Sequence, residues 1–303
     1  MNRLNFESFR KEYTCYDDIS DSWLEWFIGF FEGDGSFIIT RSNKELEFVI
    51  SQYEPNINVL IDIKDKFGFG SVIVQSPRID RSVHKGKKHK EGVYRFVVQD
   101  LKSLHVLCTL FNNGNLILPI RNHKFKNWLE IFNERLNRAK LNRPNKFESV
   151  SEIKYQFKER LCFKEDAWLS GFTDSDGCFS FSLLSTSEGF RLRYIIGGKN
   201  YSGPFKIKEL FEHINIEFFN SLGGISNNSS SSSFLELRLN GVKNMPLAYK
   251  YFDNHYPKCE TKIRMYWTHK VMYEKCLRKD HLNKNLRKEM YIAWKIMSSS
   301  SQS

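Results

Sequence analysis

The segment Trp26–Phe37, with the sequence WFIGFFEGDGSF, recurs in the second half of the chain as Trp168–Phe179, WLSGFTDSDGCF. Both segments fit the pattern W-x-x-G-F-x-[ED]-[GS]-D-G-x-F. Each is followed by alternating apolar and polar residues, then by an amphipathic helical stretch and a glycine-containing turn, at 57–70 in the first half and at 207–224 in the second. We therefore predict one fold unit that is present twice in tandem.

Each repeated segment is predicted to be a helix that leads directly into a strand. The pattern Ser22–Glu25 has the form of a capping box and predicts the start of the first helix. Small residues stand four apart in both segments, so they share a helix face and let two backbones approach closely. These pairs are Gly29 with Gly33 and Gly171 with Ser175. The helices are expected to end at Gly35 and Gly177, because strand-like alternation begins there.

The last acidic residue of each segment, Asp34 or Asp176, falls in the last helical turn, where the helix dipole disfavours a carboxylate. Two such helices side by side would bring both aspartates together, and a divalent cation with oxygen ligands would compensate their charge. For a single copy, a turn-forming Asp-Gly pair would be the simpler interpretation. Two copies with small residues at identical offsets favour a functional site. An EF-hand is excluded, because Arg41 or Leu183 stands where its bidentate glutamate should be.

The composition is that of a folded basic protein. The 303 residues carry 46 Lys and Arg against 35 Asp and Glu, a formal net charge of +11, and 41% of them are hydrophobic. Such a chain buries a sizeable core, in one large domain or two, and most often meets a polyanion, either nucleic acid or an anionic membrane surface. Its longest apolar runs, such as 26–31, are too short to span a membrane. Transmembrane proteins, coiled coils and small secreted proteins are excluded.

The cysteines and the N-terminal residues bear on the compartment. The six cysteines include no C-x-x-C pair, and no histidine pair has zinc-ligand spacing, so buried free thiols are expected. The first residues lack an apolar signal core and contain acidic side chains, so neither a secretory nor an import peptide is expected. A protein of an organelle would then be made there or cut from a longer precursor.

FIGFFEGDG and LSGFTDSDG closely resemble the LAGLIDADG motif of homing endonucleases and related intron maturases. The resemblance covers the whole chain, because two motifs separated by nearly half its length are the layout of the single-chain members. It implies an α+β fold of two tandem αββαββα repeats, with the motif helices at a pseudo-twofold interface and antiparallel sheets forming a saddle over the DNA major groove. We expect a first repeat at 1–136, an asparagine-rich linker at 137–158, a second repeat at 159–297 and a disordered tail at 298–303.

The resemblance also implies the metal site. Asp34 and Asp176 would bind Mg²⁺, as two or three ions for which Mn²⁺ can substitute, helped by the backbone carbonyls of Gly33 and Ser175. The implied reaction is hydrolysis of two phosphodiesters across a minor groove, one per strand, in which the metal ions polarise the phosphate and activate water.

Other catalytic residues are implied at matching positions. A glutamine after the second strand and a basic residue before the last helix would organise water around the metals. Gln52 matches the first position, but Gly198 stands there in the second repeat, with Lys199 beside it. Lys262 matches the basic residue of the second repeat. In the first repeat both Arg121 and Lys124 are candidates.

Strand alternation predicts the side chains that face DNA. The residues expected in the core are Phe37, Ile39, Tyr94, Phe96, Val98, Phe179, Phe181, Leu183, Leu235, Leu237 and Leu239. Those expected on the DNA side are Ile38, Thr40, Ser42, Lys44, Arg95, Gln99, Ser180, Ser182, Leu184, Thr186, Arg193, Glu236, Arg238 and Asn240. Mixed polar faces suit direct readout of base edges, although an ordinary solvated face is the alternative for each residue. The basic run Arg78–Lys90, with Lys85, Lys87 and Lys88, is interpreted as a phosphate clamp, or alternatively as a solvated loop.

These features favour a monomeric, sequence-specific endonuclease that cuts double-stranded DNA at a long site and takes part in intron homing. The expected compartment is an organelle, the mitochondrion ahead of the chloroplast, and no membrane is expected as a partner. A maturase that binds its own intron RNA is the first alternative. A DNA-binding regulator without cleavage activity is the second, but it would be expected to lose one of the two acids. The presence of both Asp34 and Asp176 favours cleavage.

Overall fold

The computed structural model of the chain describes residues 3–40, 44–75, 92–201, 207–228 and 231–299. The first half contains α1 (Glu7–Glu12), α2 (Asp21–Asp34), β1 (Gly35–Ile39), β2 (Leu46–Tyr53), α3 (Ile57–Phe67), β3 (Ser71–Gln75), β4 (Val93–Val98), α4 (Leu101–Phe111), α5 (Pro119–Asn142) and α6 (Pro144–Phe147). The second half contains α7 (Trp168–Asp176), β5 (Gly177–Leu183), β6 (Phe190–Lys199), α8 (Lys208–Phe219), β7 (Gly224–Asn228), β8 (Ser231–Asn240), α9 (Met245–Asn254), α10 (Glu260–Leu277) and α11 (Lys284–Ser299).

Each half forms one antiparallel sheet of four strands. The strand order is β1-β2-β4-β3 in the first half and β5-β6-β8-β7 in the second, so the two sheets have the same topology. The registers also correspond: Gly35 pairs with Ile50, and Gly177 pairs with Ile196. The predicted α+β fold of two αββαββα repeats is confirmed.

The core lies between each sheet and the helices that cover one of its faces. Most of the strand positions that alternation assigned to the core are buried. These are Phe96, Val98, Phe179, Phe181, Leu235, Leu237 and Leu239. Phe37, Tyr94 and Leu183 are partly buried and pack against this core. The prediction for Ile39 is wrong: its side chain is 38% exposed, because β1 ends at this residue.

The motif helices end where the sequence predicted, but the first one begins earlier. Gly35 follows α2, and Gly177 follows α7, each with extended backbone. The predicted capping box is wrong, because Ser20 and not Ser22 caps α2, with its Oγ accepting from the N–H of Trp23 at 3.2 Å. The Glu25 carboxylate instead accepts a hydrogen bond from the N–H of Ala167.

The connection between the repeats is held against the first repeat. Helix α5 continues to Asn142, so the expected linker boundary at 137 falls inside a helix. Further on, the amide of Asn133 binds both backbone groups of Ile153, donating to its carbonyl at 2.9 Å and accepting from its N–H at 3.1 Å. A side-chain amide thus pairs with the connection as a neighbouring strand would. At the other end α11 continues to Ser299, so the first two residues of the expected tail are helical, and 300–303 lie outside the described residues.

Two further expectations concern membranes and thiols. In the part of the chain that the structure describes, no helix combines the length and the apolar character that crossing a bilayer requires. Cys108, Cys162, Cys259 and Cys276 are buried free thiols, as expected. Cys15 and Cys178 are exposed, so the expectation is wrong for these two.

Candidate functional site

The two motif helices, α2 and α7, pack against each other at backbone contact. A Cβ atom added to Gly29 would lie 2.1 Å from the carbonyl oxygen of Trp168, and one added to Gly171 would lie 1.9 Å from that of Trp26. The two contacts are reciprocal, so they define a pseudo-twofold axis between the helices. The predicted role of these small residues is confirmed, because any larger side chain would force the backbones apart.

The first acid of each motif is a buried structural group. The indole Nε1 of Trp26 donates to Asp174 Oδ2 at 2.8 Å, and Nε1 of Trp168 donates to Glu32 Oε2 at 2.6 Å. Burial raises the pKa of Glu32 to about 7 and that of Asp174 to about 6, against the hydrogen bonds that lower both. Each motif therefore supplies a tryptophan to the acid of the other.

The same two carboxylates anchor the helices that follow each sheet. Glu32 Oε1 accepts from the N–H of Leu118, which directly precedes α5, at 2.6 Å. Asp174 accepts from the N–H groups of Lys258 and Cys259, which precede α10, at 2.6 and 3.0 Å. The sequence pattern contains the signal for this role, since both repeats carry an acid here and a tryptophan at the first motif position, but nothing local reveals their pairing.

Asp34 and Asp176 come together at the adjoining ends of α2 and α7. A Cβ atom added to Gly33 would lie 3.2 Å from Asp176 Oδ2. Burial, and after it the charge of Asp176, raises the pKa of Asp34 to about 7. Burial also raises the pKa of Asp176, which the charges of Lys262 and Arg121 oppose. The structure thus forms one acidic centre from two residues that are far apart in the sequence, with Asp34 half-buried and Asp176 exposed.

Gln52 reaches this centre from β2. Its Nε2 donates to Asp34 Oδ2 at 2.5 Å. The strand register places Gly198 at the corresponding position of the second sheet, as the sequence predicted. A Cβ atom on Gly198 would lie 2.4 Å from Cδ1 of Ile207, so the isoleucine occupies the space of the absent side chain. The two halves of the centre therefore differ.

A basic residue in the first turn of α5 or α10 binds each motif-helix end. Lys262 Nζ donates to the carbonyl of Gly177. Arg121 holds the same position in α5 and donates through Nη1 to the carbonyl of Gly35 at 2.7 Å. Arg121, and not Lys124, is therefore the counterpart of Lys262. Cations at a helix C-terminus offset the negative end of its dipole.

Arg121 also contacts one of the expected metal ligands. Its Nη2 donates to the carbonyl of Gly33 at 2.8 Å, so the carbonyl that was expected to bind a metal here accepts a hydrogen bond from a guanidinium. In the second repeat the other expected ligand is the backbone carbonyl of Ser175. The hydroxyl of this residue donates to the carbonyl of Phe172 at 2.9 Å. The described residues contain no group of three or more His, Cys, Asp and Glu placed to hold a metal.

The two aspartates nevertheless fit a hard divalent cation. Burial and then the charge of Asp176 raise the pKa of Asp34, Asp176 is open to solvent, and the ligand atoms of both are oxygens. Mg²⁺ prefers such ligands in sites that keep one or two carboxylates and several waters. Asp34 and Asp176 would hold the ion.

A basic cleft opens beside Asp176. It has a volume of about 280 Å³, and its lining includes Asp176, Arg121, Lys124, Lys199 and Tyr201. Burial lowers the pKa of Lys124, and the charges of Arg121 and Lys199 lower it further. A cluster of cations next to a carboxylate can accept a phosphate group.

The open face of the second sheet carries several of the predicted contact residues. Ser180, Arg193 and Asn240 form one row across the paired strands β5, β6 and β8. Arg238 lies in the next row but is held by Glu236, with Nη2 2.5 Å from the carboxylate oxygen. Arg193 and the exposed Arg191, which precedes it by two residues on β6, thus give this face its positive charge, whereas the charge of Arg238 is paired with Glu236.

The open face of the first sheet is less basic. Arg95 lies between Ser51 of β2 and Ile73 of β3 in the register. Gln99 follows β4 and donates to the carboxylate of Glu47 at 2.6 Å. Apolar and polar side chains are therefore mixed on this face.

Three residues predicted on the DNA side lie beyond the ends of their strands. Thr40 and Lys44 lie in the turn after β1, where Thr40 Oγ1 accepts from the N–H of Glu45 at 2.8 Å and Lys44 has a left-handed φ of 53°. Lys44 Nζ lies 4.0 Å from Glu134 of α5, on the helix-covered side. Thr186 lies in the exposed turn after β5. The alternation was extended past the ends of both strands, so it does not determine the orientation of these three residues, and their contact with DNA stays a prediction.

The remaining predicted residues divide into two groups. Ile38 and Ser182 lie on β1 and β5, Leu184 lies directly after β5, and all three are half-buried. The others lie outside the described residues; these are Ser42, Lys85, Lys87 and Lys88.

Comparisons with known proteins identify the family. The model of the LAGLIDADG endonuclease family matches residues 27–132 and 169–273. The chain is 34% identical to "Probable intron-encoded endonuclease 4" of Neurospora crassa over 87% of this chain and 42% of that protein. It is 28% identical to "Intron-encoded RNA maturase bI4" of Saccharomyces cerevisiae over 60% of this chain and 23% of that protein. The chain therefore spans less than half the length of these relatives.

Solved structures show the same fold at low sequence identity. The LAGLIDADG meganuclease I-AabMI bound to uncleaved DNA is 18% identical, with a TM-score of 0.67 over 90% of this chain and 98% of that one. I-SmaMI bound to uncleaved DNA in the presence of calcium ions is 16% identical, with a TM-score of 0.63 over 91% of this chain and 98% of that one. With its two motif matches and this fold, the chain belongs to the LAGLIDADG endonuclease family.

Proposed function

We propose that the chain is a sequence-specific endonuclease that hydrolyses both strands of a long DNA site with divalent metal ions. One observation carries the proposal: Asp34, which is half-buried, and Asp176, which is exposed, form a single acidic centre at the ends of two paired helices. Two neighbouring carboxylates with raised pKa values are typical of functional sites.

The residues of the chain have distinct parts in this reaction. Asp34 and Asp176 would hold Mg²⁺, for which Mn²⁺ can substitute, and a bound divalent ion supplies charge stabilisation at the scissile phosphate. Gln52 holds the Asp34 carboxylate through its N–H. Lys262 and Arg121 fix the helix ends and place positive charge beside the reacting phosphates.

The two sheets would bind DNA through their open faces, which would together form the saddle. The net charge of +11 and the row of Ser180, Arg193 and Asn240 support a duplex partner. One chain contains both motif helices, so we propose that it acts as a monomer. The intron-encoded relatives support a role in intron homing within an organelle, the mitochondrion first.

The test is cleavage of DNA that carries the intronless host locus. We expect the purified protein to cut both strands with Mg²⁺, and Asp34→Asn and Asp176→Asn each to abolish cutting while Ca²⁺-supported binding remains. Asp65→Asn, which changes an exposed acid of α3, is the matched control and should cleave normally. Failure of the wild-type protein to cut DNA with any divalent ion would refute the proposal.

Intron RNA is the alternative partner, supported by the likeness to an intron-encoded RNA maturase. A maturase would bind its own intron RNA tightly and would retain this binding in Asp34→Asn, because RNA folding support needs no cleavage centre. Binding of labelled intron RNA, measured beside DNA cleavage, separates the two functions.

A further inference from the structure

A chain of side-chain hydrogen bonds connects the second repeat to Asp34 of the first. The backbone N–H and the hydroxyl of Thr261 both donate to Asn56 Oδ1, at 3.1 and 3.0 Å. Asn56 Nδ2 donates to Gln52 Oε1 at 3.1 Å, and Gln52 Nε2 donates to Asp34 Oδ2. Gln52 and Asn56 are 7% and 8% exposed, so water competes little for these bonds.

The direction of every bond in this chain follows from its first member. A backbone N–H can only donate, so Asn56 must present its oxygen to Thr261 and its NH₂ group to Gln52. Gln52 must then turn its oxygen to Asn56 and its NH₂ group to Asp34. With the opposite orientation, the Gln52 oxygen would face the carboxylate of Asp34 and repel it.

The contact also lies next to a second member of the site. Thr261 directly precedes Lys262, which binds the end of α7 through the carbonyl of Gly177. The first turn of α10 receives no side-chain cap from its own N-cap residue, Cys259. Asn56 therefore caps α10 from the other repeat, while its second polar group orients Gln52.

Among the described residues, the second repeat has no equivalent of this chain. Gly198 stands in the place of Gln52 and has no side chain to orient. The asymmetry confines the arrangement to the half of the centre that contains Asp34.

We propose that Asn56 and Thr261 are positioning residues that act through Gln52 on Asp34, so that cleavage of one DNA strand depends on a contact between the repeats. This inference rests on the proposed endonuclease function. It adds that cleavage of the two DNA strands responds differently to substitution of Asn56 or Thr261, because among the described residues the oriented amide is found in one half of the centre.

The experiment measures the cleavage rate of each strand separately, on a duplex labelled at both 5′ ends. Asn56→Leu removes both polar groups at similar size, and Thr261→Val removes only the hydroxyl. We expect Asn56→Leu to slow one strand by about ten-fold or more, as for the loss of partners that orient metal-site ligands, and to slow the other strand far less. Thr261→Val should give a smaller effect on the same strand, and Thr261→Ser should cleave like the wild type.

Two further measurements separate positioning from a purely structural cap. In a Gln52→Ala background, Asn56→Leu should cause no additional loss, because the residue through which it acts is gone. In metal-free protein labelled with ¹⁵N-glutamine, Asn56→Leu should shift the side-chain amide signal of Gln52, which is assigned by its absence in Gln52→Ala. Thr261→Ser should leave that signal in place.

The outcomes distinguish this inference from the function on which it rests. A wild-type protein that cuts neither strand would refute the endonuclease proposal itself. If the wild type cuts both strands, equal slowing of both by Asn56→Leu, no slowing, or the same loss in the Gln52→Ala background would overturn the positioning role.

Discussion

Trp26 and Asp174 lie on different motif helices, and the indole Nε1 of Trp26 donates to Asp174 Oδ2 at 2.8 Å. The same carboxylate accepts two backbone N–H groups in front of α10. One buried acid thus connects the helix interface to the helix that carries Lys262. Loss of the Asp174 carboxylate should therefore lower the free energy of unfolding, whether or not it changes the rate of DNA cleavage.

Asp174→Asn should destabilise the fold by about 1–3 kcal/mol. An asparagine has one acceptor oxygen, whereas Asp174 accepts three N–H groups, so at least one buried donor loses its partner. Chemical denaturation measures the change in the free energy of unfolding. Asp65→Asn, on an exposed surface, is the control, and equal stability of the two variants would contradict the assignment.

Gly29→Ala should destabilise the paired helices by about 1–3 kcal/mol or more, because the new Cβ would lie 2.1 Å from a backbone oxygen that cannot move alone. Gly224→Ala is the matched control, since a Cβ there meets no atom within 4 Å. Thermal unfolding of both variants tests the difference. A Gly29→Ala protein as stable as the wild type would mean that the helices can separate without cost.

Stability and metal binding should depend on pH through Asp34. Its pKa is about 7 in the fold against an ordinary value of 3.8, so between these values the folded state binds more protons than the unfolded state. The free energy of unfolding of metal-free protein therefore receives from this group a contribution that falls as pH rises from about 4 to about 7.

The corresponding measurement is the increase in Tm that Mg²⁺ causes. The ion competes with a proton for Asp34, so the increase should be larger at pH 8 than at pH 6 and should largely disappear in Asp34→Asn. An increase that is equal at both pH values would show that Asp34 does not bind the ion.

Glu236→Gln should raise DNA affinity, because it releases Arg238 from an ion pair with an N–O distance of 2.5 Å. A freed guanidinium can neutralise a phosphate, so the dependence of log K on log[salt] should become steeper by about one contact. Binding titrations at several salt concentrations measure the slope. Glu289→Gln, on the exposed side of α11, is the control and should leave the slope unchanged; an unchanged slope in Glu236→Gln would mean that Arg238 stays away from the duplex.

Arg121→Met should reduce cleavage far more than Lys124→Met. Arg121 donates to the carbonyls of Glu32, Gly33 and Gly35, so its loss leaves the end of α2 without its cation. Lys124 lines the same cleft, and no hydrogen bond from its side chain to the protein is found among the described residues. Single-turnover cleavage rates test this order, and the reverse order would make Lys124 the counterpart of Lys262.

Local sequence determined the fold and the centre of the site. The repeated motif, its small residues and the glycines at its ends predicted two helices in close contact, because helix ends and close approach depend on residues next to each other in the chain. The same pattern identified Asp34 and Asp176, and the resemblance added Gln52 and Lys262. All four lie together, in the centre or at the adjoining helix ends.

Tertiary structure alone decided which side chains contact one another around the site. Whether Arg121 or Lys124 reaches the helix end depends on the angle at which α5 starts, and Glu32 and Asp174 anchor loops that are distant in sequence. The sequence did not predict where β1 and β5 end, because the alternation of apolar and polar residues continues past the last hydrogen-bonded pair of each strand. The contact between Asn56 and Thr261 crosses from one repeat to the other, and no periodicity within either repeat contains it.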